Sequence, residues 1–184
     1  MYVRPGCLEE NERQINHGHG ILLIGGGQEH GRRGGTENTP YIVGFGSAAE
    51  MAQKNLKQNA AHMESMRSRF LLKLQETLGS DKVRANGPSD KKLRLPNTLS
   101  VGFADIHSGD LLGCIGHKVA ASAGATCHST GSISSVLRAM DVPITFARGT
   151  LRLSLGPKTK AEEVDRAAVI ISDAVKEQWS QDFI

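Results

Sequence analysis

The sequence predicts a mixed α/β chain, and three patterns carry that reading. A long apolar stripe runs at spacings of three and four through Ile42, Phe45, Ala49, Ala52 and Leu56 and on through Met63, Met66, Phe70, Leu74 and Leu78, the period of an amphipathic helix. Alternation at Leu99, Val101 and Phe103, and again at Leu151, Leu153 and Leu155, is the period of half-buried strands. A second helical stripe, Val164, Ala168, Ile171, Val175 and Trp179, follows Thr159 and Glu162, whose spacing is that of a capping box.

Taken in order, Tyr2-Val3-Arg4 reads as a strand end before Pro5-Gly6 and a polar loop, and Ile21 to Ile24 as a buried strand or turn feeding the Gly-rich stretch Gln28 to Asn38. Pro40 after Thr39 suggests a capped helix start, with one long helix or two consecutive helices to Leu78 and Gly79 as the stop. Met51, Met63 and Met66 read as core packing. Pro88 to Lys92 is a solvated turn, Asp110 to Ala120 a helix with Leu111, Leu112, Ile115 and Val119 on its apolar side, and Val136 to Met140 a short helix. The change near residue 80 from long helix to short pieces makes the expected division 1–79 and 80–184.

Composition excludes several classes. The formal charge of +3 over 184 residues, with a sequence pI near 8.8, is too mild to argue for nucleic-acid binding. No apolar run reaches the roughly 18 residues of a membrane span, and the first residues show no secretory apolar segment. Three widely separated cysteines, Cys7, Cys114 and Cys127, argue against a disulfide framework and for a reducing compartment, so the expected location is the cytosol. There is no HxxxH and no CxxC, so no metal site is expected.

Cys127 lies in a small-residue segment, Ser122 to Ser132, with His128 beside it. A partly exposed thiol near a cation is kept as thiolate and acts as a nucleophile; a buried structural cysteine is the other reading, and adjacency alone does not put His128 within hydrogen-bond reach. Cys114 falls in an apolar stripe and reads as core, and Cys7 as a loop thiol. Arg152 alternates with leucines and so points away from the face they bury. Its guanidinium matches a carboxylate in two-point fashion, though a solvent-facing cation is the simpler reading without further context. Arg32, Arg33 and Thr36 offer cations, a hydroxyl and accessible N–H groups in a Gly-rich loop, the ingredients of a phosphate contact.

Four stretches in order, Gly25 to Asn38 (GGGQEHGRRGGTEN), Leu95 to Phe103 (LPNTLSVGF), Ala121 to Ser129 (ASAGATCHS) and Leu151 to Gly156 (LRLSLG), together resemble the C-terminal half of the cysteine desulfurase and selenocysteine lyase family, pyridoxal-phosphate enzymes of aminotransferase class V type. The resemblance implies the C-terminal part of a fold type I enzyme: residues 1–79 the end of the large cofactor domain with long connecting helices, and 80–184 a small α+β domain carrying the cysteine loop. It implies removal of selenium or sulfur from L-selenocysteine or L-cysteine to give L-alanine, with the cofactor ring as electron sink. Residues 28–38 and 125–129 are more similar to selenocysteine lyase than to a housekeeping desulfurase. By the same resemblance Cys127 is the catalytic cysteine, Arg152 pairs with the substrate carboxylate, and Thr36 and Arg33 belong to the loop that reaches the cofactor phosphate across a homodimer interface. A selenium or sulfur acceptor protein is a further implied partner.

One departure tempers these implications. The family's Schiff-base lysine lies in a Ser-x-His-Lys type motif just before the segment that Tyr2-Val3-Arg4 resembles, so the expectation is a truncated form lacking that lysine and inactive in isolation. His117-Lys118 imitates the dipeptide but falls in a predicted helix and reads as a solvated face. The alternative expectation is a non-catalytic dimerisation or sulfur-accepting module.

Overall fold

A computed structural model describes residues 25–29, 33–123 and 134–181. The sequence readings on Tyr2 to Arg4, Cys7, Ile21 to Ile24, Arg32 and Cys127 with His128 lie outside the described residues. The chain divides into two compact units, Met1–Lys54 and Asn55–Ile184.

The first unit contains the Gly-rich loop and the opening turns of helix α1, which spans Thr39–Leu78 as a single helix of 40 residues. Its cap is Asn38, one residue earlier than the Thr39 that the proline suggests. The Asn38 carbonyl accepts the first helical bond, from Ile42 N at 3.0 Å, and its side-chain Oδ1 accepts from Tyr41 N at 3.2 Å, satisfying an N–H that the helix leaves without a partner. Tyr41, Ile42, Val43, Phe45 and Met51 are all exposed. Met51 is therefore not core, whereas Met66 packs against the main core of the second unit and Met63 is half-buried. Periodicity identifies a helix but does not by itself supply a partner for its apolar side.

The second unit is built on a four-stranded antiparallel sheet in the order β1-β2-β4-β3. The strands are β1 (Val83–Ala85), β2 (Thr98–Phe103), β3 (Ser122–Ala123) and β4 (Thr150–Ser154). Leu99, Val101 and Phe103 of β2 and Leu151 of β4 are fully buried, and Leu153 of β4 nearly so, as alternation requires of a sheet with one apolar face. Three helices supply most of the rest of that core, with Phe70, Leu74 and Leu78 from the end of α1, Leu111 and Ile115 from α2 (Ser108–Ile115), and Val164, Ala168, Ile171 and Val175 from α5 (Ala161–Gln181). Gly79 ends α1 with φ of +95°, and its N–H bonds to Gln75 O at 2.9 Å, a left-handed stop that glycine adopts without a Cβ penalty.

Two short helices, α3 (Ser135–Ala139) and α4 (Ile144–Ala147), carry a small second cluster of Leu137, Val142 and Ala147. Helix α2 stops at Ile115, short of the expected Ala120, so His117 and Lys118 lie in the following turn, both exposed. The cap of α5 is shifted by one residue. Glu163 rather than Glu162 accepts from the Lys160 N–H at 2.8 Å, while the Thr159 hydroxyl accepts from Gly156 N at 2.9 Å. Trp179, the last residue of the predicted stripe, is partly buried and donates its indole N–H to Ala104 O at 2.8 Å.

Candidate active site

The side of the sheet away from the leucines holds the candidate substrate arginine. Arg152 is exposed while Leu151 and Leu153 on either side are buried, so the strand reading of this residue is correct. In the sheet register Arg152 stands opposite Ser100 of β2 on one side and Ser122 of β3 on the other. Two small neighbours leave its guanidinium unobstructed, and among the described residues it has no hydrogen-bond or ion-pair partner. An exposed cation with no carboxylate claiming it keeps its donor fork available for a ligand.

Next to Arg152 the same face is closed. Gly102, opposite Thr150, has no room for a side chain: a Cβ there would lie 2.6 Å from Phe146 O in α4. Thr150 donates its hydroxyl to that same carbonyl at 2.9 Å. The Asn86 amide donates to Ser100 Oγ and Thr150 Oγ1, each at 3.2 Å. These bonds pin β2, β4 and α4 together beside Arg152, so a rigid strand rather than a loop presents the cation. Sequence reasoning did not single out Asn86, Ser100, Thr150 or Ser122. Alternation places Ser100 opposite the leucine face, but the pairing that sets it beside Arg152 is a register relationship between strands far apart in sequence.

Cys127 lies outside the described residues; in sequence it follows Ser122, the β3 partner of Arg152, by five positions. Cys114 requires a correction. It is exposed, because α2 buries Ser108, Leu111 and Ile115 and position 114 falls about 90° from the centre of that stripe at roughly 100° per residue.

In the first unit, Arg33 is half-buried and donates from Nη1 to Gly35 O at 2.7 Å. Thr36 is exposed, two residues before the Asn38 cap of α1. An exposed hydroxyl and an arginine in one loop are donors suited to a phosphate, whereas the N–H groups that open α1 are already engaged, Thr39 N on Glu37 O, Tyr41 N on Asn38 Oδ1 and Ile42 N on Asn38 O, and Pro40 has none. The structure thus leaves Thr36 and Arg33 in one loop of one unit and Arg152 in the other. Among the described residues no group of three His, Cys, Asp or Glu side chains gathers to hold a metal, and no helix is long and apolar enough to cross a membrane.

The antiparallel sheet backed by helices, with Arg152 and Arg84 exposed on its other side, belongs to a class: part of a fold type I α/β enzyme. The aminotransferase class-V model matches residues 24–167, and the chain belongs to that family. It is 35% identical over 180 residues to the cysteine desulfurase IscS of Clostridium botulinum, covering 97% of this chain and 42% of that protein. Human selenocysteine lyase is 36% identical over 163 residues, covering 87% and 37%. The cysteine desulfurase NifS of Azotobacter vinelandii is 42% identical over 149 residues, covering 79% and 36%. A solved NifS-like protein superposes with a TM-score of 0.68 at 34% identity over 85% of this chain and 39% of its own. The chain therefore spans about two-fifths of the length of the relatives it matches.

Proposed function

We propose that this chain is the C-terminal part of a selenocysteine lyase-like, pyridoxal-phosphate-dependent enzyme that removes selenium or sulfur from L-selenocysteine or L-cysteine and leaves L-alanine. The observation that carries the reading is Arg152, unpaired among the described residues on a braced strand between Ser100 and Ser122. Its two-point fork takes the substrate carboxylate and fixes the amino acid's orientation. Cys127 then meets the chalcogen as a thiolate nucleophile and carries it away from the carbon skeleton.

The phosphate of the cofactor fits the loop of Arg33 and Thr36, where the exposed hydroxyl and the arginine favour an anion. When bound, the cofactor supplies an electron sink for charge developing on the substrate. The covalent lysine is not among the residues of this chain in our reading. The one His-Lys pair, His117-Lys118, sits exposed in the turn after α2, and no family motif surrounds it. The residues 1–79 then complete the cofactor domain and connecting helix, and 80–184 form the small domain. A homodimer in the cytosol, with a selenium or sulfur acceptor protein, completes the proposal.

A chimera tests this reading: the present chain replaces the aligned segment of a class-V cysteine desulfurase, and alanine release from L-cysteine and L-selenocysteine is measured. Release that disappears with Cys127→Ser supports the proposal. A chimera that folds and holds the cofactor yet releases no alanine favours the alternative, a dimerisation or sulfur-accepting module.

A further inference from the structure

A cavity of about 510 Å³ lies within the unit Asn55–Ile184 between α1 and the segment that follows β1; its walls include Arg67, Leu71, Leu72, Asn86, Pro88 and Arg94. The volume is that of a small-molecule site. Its charge balance is uneven. Glu64 is the acidic side chain beside it, and that carboxylate already accepts from Arg94 Nη2 at 2.6 Å and from Ser68 Oγ at 3.3 Å, with Lys91 Nζ 4.0 Å away. Arg94 spends its other terminal nitrogen on Ser89 O at 2.5 Å.

Arg94 Nε and Asn86 Oδ1 are buried at this wall without a partner among the described residues, and Arg67 is the second cation that lines it. Arg67 is only 5% exposed, and its Nε donates to Thr98 O at 2.9 Å. Its two terminal nitrogens have no partner among the described residues. Among the described residues these nitrogens are not fully buried polar atoms, so they keep contact with water in the cavity, where an anion can take its place. Burial, and after it the charge of Arg94, pull its pKa below the usual arginine value, with Glu64 only partly opposing them. The rest of the wall, Leu71, Leu72, Ala85 and Pro88, suits a hydrocarbon body.

We propose that this cavity binds a small aliphatic carboxylate, its two oxygens on the free nitrogens of Arg67 and its chain against Leu71 and Leu72. The site is separate from Arg152 and does not depend on the chalcogen chemistry above.

The test is a titration of the isotopically labelled chain with sodium butyrate, against sodium chloride at matched ionic strength, followed by NMR. Butyrate should give saturable shifts at the Arg67 Nε–H and at the Asn86 and Gly87 amides, and chloride none that saturate. Arg67→Lys, which loses the planar fork, should weaken butyrate at least about ten-fold. Since replacing a buried arginine risks unfolding, Leu71→Trp provides the second variant. It fills the cavity and leaves Arg67 on Thr98, and it should abolish the saturable shifts. No saturable response to butyrate, equal saturation by chloride, or undiminished binding in Leu71→Trp would each overturn the assignment.

Discussion

Arg152 of β4 and Ser100 of β2 stand directly opposite each other in an antiparallel pair, and the Ser100 hydroxyl is in turn held by the Asn86 amide at 3.2 Å. The cation is thereby mounted on a strand whose neighbour is fixed by a polar network, and among the described residues no acidic side chain pairs with it.

The first prediction follows from that mounting. In the chimera, Arg152→Lys should fold normally, because the change lies off the leucine face. It replaces a planar fork with a point charge. Losing a charged partner in a desolvated site costs about 2 to 5 kcal/mol, so kcat/KM for L-cysteine and L-selenocysteine should fall roughly 30-fold to several thousand-fold. Steady-state kinetics alongside a circular dichroism spectrum checks both halves of the statement.

The second concerns the two halves of the α1 stripe, which look alike in sequence. Leu74 is fully buried and Leu56 is 65% exposed. Leu74→Ala should destabilise the chain by about 2 to 5 kcal/mol through lost burial and a residual cavity. Leu56→Ala should change stability by no more than about 0.5 kcal/mol. Urea denaturation of the two variants measures the contrast, and comparable losses would place Leu56 in a core.

The third uses Arg69 of α1 and Asp165 of α5, whose side chains form a two-point pair at 2.7 and 2.6 Å. The hydrogen bonds from Arg69 hold the Asp165 carboxyl below the usual carboxylate range, against a smaller opposing effect of desolvation and with help from the charges of Arg69 and Lys73. A carboxyl whose folded pKa is depressed contributes stability above its unfolded pKa and loses it as pH falls through the folded one. The stability difference between the native chain and Asp165→Asn should thus be present at neutral pH and shrink through the acid range. Because both groups are exposed, added salt should reduce it as well. A difference that stays constant with pH would show that the pair contributes nothing electrostatic.

Much of this arrangement is legible in the sequence, for reasons that differ by element. The stripe Val164, Ala168, Ile171 and Val175 is long enough to fix α5 and its buried face, and alternation does the same for β2 and β4, including the exposed placement of Arg152. The strands β1 and β3 span three and two residues, too short for any period, and exist only through pairing with β2 and β4. Cys114 is misjudged because α2 is only two turns long, so a residue at the edge of its stripe is indistinguishable from one at the centre. The cluster of Glu64, Arg67 and Arg94 is equally silent in sequence, since Arg67 sits among polar residues of a long helix and its burial is a tertiary fact.

The most direct measurement for the central claim follows the chalcogen itself. Chimeric enzyme quenched during turnover of L-cysteine, then digested and analysed by mass spectrometry without reductant, should show the added mass of one sulfur atom on the Cys127 peptide. The exposed Cys114 should remain an unmodified thiol, and Cys114→Ser should release alanine at an unchanged rate. Sulfur on Cys114 instead of Cys127, or undiminished alanine release from Cys127→Ser, would contradict the account.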